Sequence, residues 1–200
     1  MCRSLKAIGI AAGAGVLLLA LSAHEVAAQA LATASGPGSY LSAGGGVSAF
    51  QEDYGQQVIG GAAVWVDMNP TWRFGLEGEA RWLNYHTDEQ VTEANYLGGV
   101  RVMLWKPGSR FQPYGKFLAG VGHINFPFGY ATGNYLAMAP GAGVDIHLTD
   151  RWSVRAADFE YQLWPQFTYG QLKPYGVSVG LRYRINGEDR FPKSAHRHRR

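Results

Sequence analysis

Residues 72 to 82 read WRFGLEGEARW, and the alternation is unbroken. Trp72, Phe74, Leu76, Gly78, Ala80 and Trp82 share one parity; Arg73, Gly75, Glu77, Glu79 and Arg81 share the other. Successive side chains of a strand point to opposite faces, whereas a helix would spread both sets around its circumference. The stretch predicts a strand with one apolar and one charged face. Such a strand has two possible settings. In a soluble sandwich the charges face water; in a membrane barrel they face inward and the tryptophans face lipid.

The N-terminus bears on that choice. Arg3 and Lys6 form a short basic region, Ala7 to Leu21 is apolar, and small-residue sites follow at Val26-Ala27-Ala28 and Ala28-Gln29-Ala30. This pattern predicts a secretory signal peptide over residues 1–30, cleaved after Ala28 or Ala30. Cys2, the single cysteine, would leave with it, so the mature chain is expected to have no disulfide, cysteine–metal site or cysteine nucleophile. The formal charge of +3 would fall to +2, because two cations and Glu25 depart. Much of the excess lies in the terminal KSAHRHRR, and no basic stripe points to nucleic acid.

After a flexible lead-in at 31–39, eight runs read as strands: 40–50, 57–67, 72–85, 95–106, 111–124, 134–148, 152–163 and 172–185. Short connections at 68–71, 106–110 and 148–151 alternate with longer ones at 51–56, 85–94, 125–133 and 164–171. Outer-membrane barrels alternate in this way, with tight turns on the periplasmic side and long loops outside. The expected fold is all-β: an eight-stranded antiparallel up-and-down transmembrane β-barrel over 40–185, followed by a basic polar periplasmic tail at 186–200.

Spacing tests which face meets lipid. Trp72 and Trp82 lie ten residues apart, roughly 33 Å along a strand. A tilt near 40° projects that to about 25 Å, the height of the apolar band of such barrels. Trp72, Trp105, Trp152 and Tyr183 fall at expected periplasmic strand ends, and Trp82, Tyr85, Tyr161 and Trp164 at outer ends. These are the expected membrane-interface aromatics. The charges of opposite parity, Arg73, Glu77, Glu79, Arg81, Arg101, Asp145, Arg155, Asp158, Glu160, Arg182 and Arg184, are expected to form an interior ion-pair network. Their near balance argues against a one-signed pore constriction. Strand seven changes parity between Val154 and Phe159, which predicts a bulge near Ala156-Ala157. Strand five lacks clean alternation; Lys116 is read as inward and Phe117 as outward.

Three stretches carry a family resemblance: PTWRFGLEGEARWL (70–83), GAGVDIHLTDRWSVRAADFEY (141–161) and LKPYGVSVGLRYRI (172–185). Together they resemble the OmpA-like outer-membrane β-barrel family in its small eight-stranded form. The resemblance implies that Ser178, Gly180, Tyr183 and Ile185 form the closing-strand signal read by the barrel-assembly machinery. Members often end on Phe, whereas Ile185 is followed here by fifteen polar-rich residues. No peptidoglycan-binding domain is expected after the barrel, so the resemblance is not expected to carry over a cell-wall anchoring role.

Some eight-stranded outer-membrane barrels remodel lipid A and resemble lipases in using a His–Ser pair with a carboxylate. His123 is followed by Ile124 and Asn125, with no serine at a suitable spacing on its strand. His86 lies in a long loop, His147 near a tight turn, and His196 and His198 in the tail. The expectation is a monomeric, non-enzymatic outer-membrane protein with no cofactor and no metal. Its expected partners are outer-membrane lipid, lipopolysaccharide and the assembly machinery, and its role structural or surface-interacting. The alternatives are a lipid A-modifying enzyme, a soluble lipocalin-like ligand-binding barrel and a narrow pore.

Overall fold

The computed structural model describes residues 39–53, 58–85, 92–105, 109–125, 132–166 and 170–187. The expected signal peptide with Cys2, the lead-in through 38, His86, and the tail from 188 with His196 and His198 lie outside the described residues, as do parts of the long connections. Eight strands follow one another: β1 (Tyr40–Gln51), β2 (Val58–Asn69), β3 (Phe74–Tyr85), β4 (Thr92–Met103), β5 (Phe111–Asn125), β6 (Thr132–His147), β7 (Trp152–Tyr161) and β8 (Tyr175–Gly187). Each pairs antiparallel with its chain neighbours, and β8 returns to β1, from Gln51↔Tyr175 to Tyr40↔Gly187, to close the barrel. Closure gives every strand a paired neighbour on both sides.

Alternation decides what each side of this wall carries. On β3, Glu77, Glu79 and Arg81 point inward, while Phe74, Leu76 and Trp82 point outward. On β8, Ser178, Arg182 and Arg184 point inward, while Val177, Val179, Leu181, Tyr183 and Ile185 are exposed. Lys116 faces the bore and Phe117 the outside. Across the barrel the outer surface is mostly Val, Leu, Phe, Trp and Tyr, and the interior holds most of the charges. That is the reverse of a water-soluble fold and the arrangement a bilayer requires.

Two irregularities re-aim side chains. Ala156 and Ala157 together oppose Val179, between the pairs Arg155↔Gly180 and Asp158↔Ser178. This bulge lets Arg155 and Asp158, three residues apart, both point inward. A second shift, between Gly60↔Tyr85 and Gly61↔Leu83, leaves Tyr85 exposed at the outer end of β3.

Inward glycines admit inward aromatics. A side chain at Gly44 would collide with the Trp65 ring, and one at Gly122 with Trp164. Each glycine provides the room that a bulky neighbour fills.

Candidate functional site

The bore holds a continuous column of ion pairs. Near its outer part, Arg81 makes a bidentate contact with Glu160 at 2.9 Å through its two terminal guanidinium nitrogens and also pairs with Glu79. The Lys116 ammonium follows, 3.1 Å from Glu77, 3.1 Å from Glu79, 2.6 Å from Asp158 and 2.6 Å from Glu160. Glu77, Glu79 and Asp158 lie close enough together to hold a metal ion, and the Lys116 ammonium donates to one oxygen of each. Arg155 continues the column to Glu77 at 3.0 Å and Asp158 at 2.9 Å. Arg101 bridges Asp67 at 2.9 Å and Glu77 at 3.2 Å and also pairs with Asp145. Arg182 joins Asp67 at 3.2 Å and Asp145 at 2.8 Å.

Aromatic rings face several of these cations. The guanidinium carbon lies 4.2 Å from the Phe50 ring centroid for Arg81, 3.6 Å from that of Tyr114 for Arg101 and 4.0 Å from that of Trp65 for Arg155. Arg184 lies 4.7 Å from the Tyr40 centroid. A planar, weakly hydrated guanidinium tolerates this combination of carboxylate edges and aromatic faces where an exposed ammonium would not. Buried ions of either sign are tolerable only when paired and hydrogen-bonded in this manner.

Of the charges expected inside, Arg73 is not there. It is exposed in the turn before β3, with its guanidinium 6.0 Å from the Phe74 ring centroid. The Thr71 hydroxyl accepts the Phe74 amide at 3.0 Å, so the turn extends through residue 73 and the strand begins two residues later than alternation suggests. Trp72 consequently sits half-buried in the turn, and the ten-residue strand spacing to Trp82 does not hold. Trp164 also departs from expectation. It is fully buried, its indole donating to Gln162 at 3.0 Å, because three strand steps from outward-facing Tyr161 bring a side chain to the inner face. Trp82, Tyr85, Trp105, Trp152, Tyr161 and Tyr183 are exposed on the outside. The Trp82 indole donates to the Tyr96 hydroxyl at 3.1 Å, and Trp152 packs edge-on against Tyr183.

Beyond the column, the outer interior is apolar. Leu97, Leu118, Ile124, Ala137, Ala139, Trp164 and Leu172 form one buried cluster, and Phe50, Ile59 and Leu83 a second. Bridges Met138↔Leu163 and Trp164↔Leu172 continue the barrel wall beyond β7 at this end. Glu52 and Glu93 are buried here as well. The Asn95 amide donates to Glu93 at 2.5 Å, and the Glu52 and Glu93 carboxyl groups face each other, close enough to share a hydrogen bond when one is protonated. Burial and then the neighbouring Glu93 push the Glu52 carboxyl well above the ordinary glutamate range.

Alternation missed Asp67, Glu52 and Glu93. Asp67 shares parity with Trp65 and Ala63, so its strand lacks the polar-against-apolar contrast that marks β3. Glu52 and Glu93 lie at strand ends, where parity says least. Ser178 and Gly180 face inward, Ser178 within 2.7 Å of the Ser48 hydroxyl, and Tyr183 and Ile185 face outward. His123 pairs with Asn134 at 2.8 Å. At the opposite end, His147 Nδ1 lies 2.8 Å from the Ser153 hydroxyl, with both side chains buried.

A closed antiparallel barrel with an apolar exterior and ion pairs inside is the architecture of a small transmembrane β-barrel. The chain belongs to the outer membrane protein beta-barrel domain family, whose model matches residues 15–184. No curated protein matches it by sequence. Among solved structures, it is similar to Neisserial surface protein A at 10% identity and a TM-score of 0.60, over 72% of this chain and 96% of that one. It is also similar to the outer membrane protein OprG of Pseudomonas aeruginosa at 12% identity and a TM-score of 0.52, over 77% and 99%. At these identities the likeness establishes the fold, and the resemblance to small OmpA-like barrels holds at that level.

Proposed function

We propose that this protein is exported by its N-terminal signal, inserted into the outer membrane through the Ser178–Gly180–Tyr183–Ile185 signal, and serves there as a monomeric structural or surface-contacting barrel. The observation that carries this reading is the filled bore. From Arg81 to Arg182 the cations engage carboxylates and aromatic faces, and the Trp164 cluster packs the outer end. A column of this kind opposes ion flow, since a passing ion would have to displace several paired charges at once. The buried His147–Ser153 pair offers no nucleophile to a substrate. Function then rests with the outer connections, which meet lipopolysaccharide and the surroundings of the cell.

The test is fractionation with heat-dependent gel mobility, followed by planar-bilayer recording. The expected result is an outer-membrane protein that migrates faster unheated and gives no steady single-channel conductance. Recovery as a soluble periplasmic protein would overturn the membrane reading. A stable conductance would replace the structural role with a pore, and a changed lipid A mass on overexpression would favour the enzyme.

A further inference from the structure

The three tight turns repeat one construction. Arg73-Phe74, Arg110-Phe111 and Arg151-Trp152 each place an arginine directly before the exposed aromatic that opens the next strand. In each case the arginine carbonyl accepts a backbone hydrogen bond from another strand end: from Met103 at 2.7 Å, His147 at 2.9 Å and Arg184 at 2.8 Å. The three arginines therefore occupy equivalent, pinned positions around one rim.

Their side chains behave unlike the cations of the bore. All three are exposed, and among the described residues none makes an ion pair with a carboxylate. Arg73 lies beside its outward Phe74 ring, and Arg151 donates to the hydroxyl of outward-facing Tyr183 at 3.3 Å. Those two guanidinium groups lean over the lipid-facing aromatics instead of into the bore. Asp150 is the only acid among the described residues of these turns. Unpaired guanidinium groups just beyond an aromatic belt stand where lipid phosphates lie, and their fork geometry suits phosphate oxygens.

We propose that Arg73, Arg110 and Arg151 form a ring that holds the phosphate groups of anionic phospholipids in the leaflet at the end bearing the tight turns. The proposal rests on the membrane-barrel reading above and adds a lipid preference to it. A cation near an anionic lipid surface contributes roughly a fivefold preference.

The experiment folds the chain into phosphatidylcholine vesicles containing phosphatidylglycerol and counts co-purified lipids by native mass spectrometry. The intact protein should retain phosphatidylglycerol over phosphatidylcholine. Arg73→Gln, Arg110→Gln and Arg151→Gln should each cut that preference about fivefold, and the triple variant should abolish it. The triple Arg→Lys variant should keep most of it, and Lys173→Gln, at the opposite end, should leave it unchanged. Equal retention of both lipids by the intact protein would overturn the proposal. So would a preference that survives in the triple glutamine variant, which would belong to the basic tail. Failure of the intact chain to fold in any bilayer would instead sink the membrane reading itself.

Discussion

Around Lys116 the bore packs ions against ions, whereas around Trp164 and Ile124 it packs hydrocarbon and sets two carboxyl groups, Glu52 and Glu93, against each other, with Arg81, itself paired to Glu79 and Glu160, acting on both. Both regions are buried to a similar degree, so burial does not explain the contrast. The described buried residues include six lysine and arginine side chains against eight carboxylates, and the surplus acids gather at the outer end. The middle of the barrel is therefore held by pairing, and its outer end by packing around the adjacent carboxyl groups of Glu52 and Glu93. The two regions should fail in different ways.

The largest expected effect is at Lys116. Replacing it with Met removes the ammonium shared by four carboxylates, and breaking a buried pair costs about 3–5 kcal/mol. Heat-dependent gel mobility in vesicles should show unfolding at much lower temperature; an unchanged midpoint would mean the column contributes nothing. Trp164→Ala should cost about 3 kcal/mol by opening a cavity at the outer end. Hydrogen exchange should rise there first and spare the strands around Lys116, and uniform loss of protection would erase the distinction between the regions.

The acid pair should respond with the opposite sign. Glu93→Gln should raise stability by about 1 kcal/mol, because it removes one of two adjacent buried carboxyl groups while keeping the shape and the bond from Asn95. Urea titration of both forms decides this, and destabilisation would show that Asn95 and Arg81 outweigh the repulsion from Glu52. The pH dependence follows from Glu52. Its folded-state pKa lies above the ordinary value, so the folded state binds the extra proton. Stability should then be greatest near and below the usual glutamate pKa and fall as pH rises through the elevated one. Glu52→Gln should flatten that slope, and a slope unchanged in the variant would remove Glu52 as its source. The smallest effect is expected on the outer surface, where Tyr96→Phe deletes the bond from Trp82 and should cost no more than about 1 kcal/mol.

Much of this architecture is legible in the chain because alternation is a property of the strand itself. Glu77, Glu79 and Arg81 had to share a face once β3 formed, and the parity change in β7 had to produce a bulge between Arg155 and Asp158. Arg73 and Trp72 depart from the alternation for a common reason: both precede the first residue of β3, where turn geometry sets the side chain and two-residue periodicity carries no information. Trp164 keeps the periodicity, three steps on from Tyr161, and departs from expectation only in facing the bore instead of the membrane.

The sequence by itself determined the number of strands, the apolar and charged faces and the sorting of most residues between bilayer and bore, because these depend only on neighbours along one strand. The tertiary structure decided who meets whom. Arg81 and Glu160 are 79 residues apart, and only register and closure bring them together. The same closure leaves Glu52 beside Glu93 and turns Trp164 into the bore, and the turn geometry sets three arginines on one rim. Charge partners are chosen across the barrel, so no local pattern can name them.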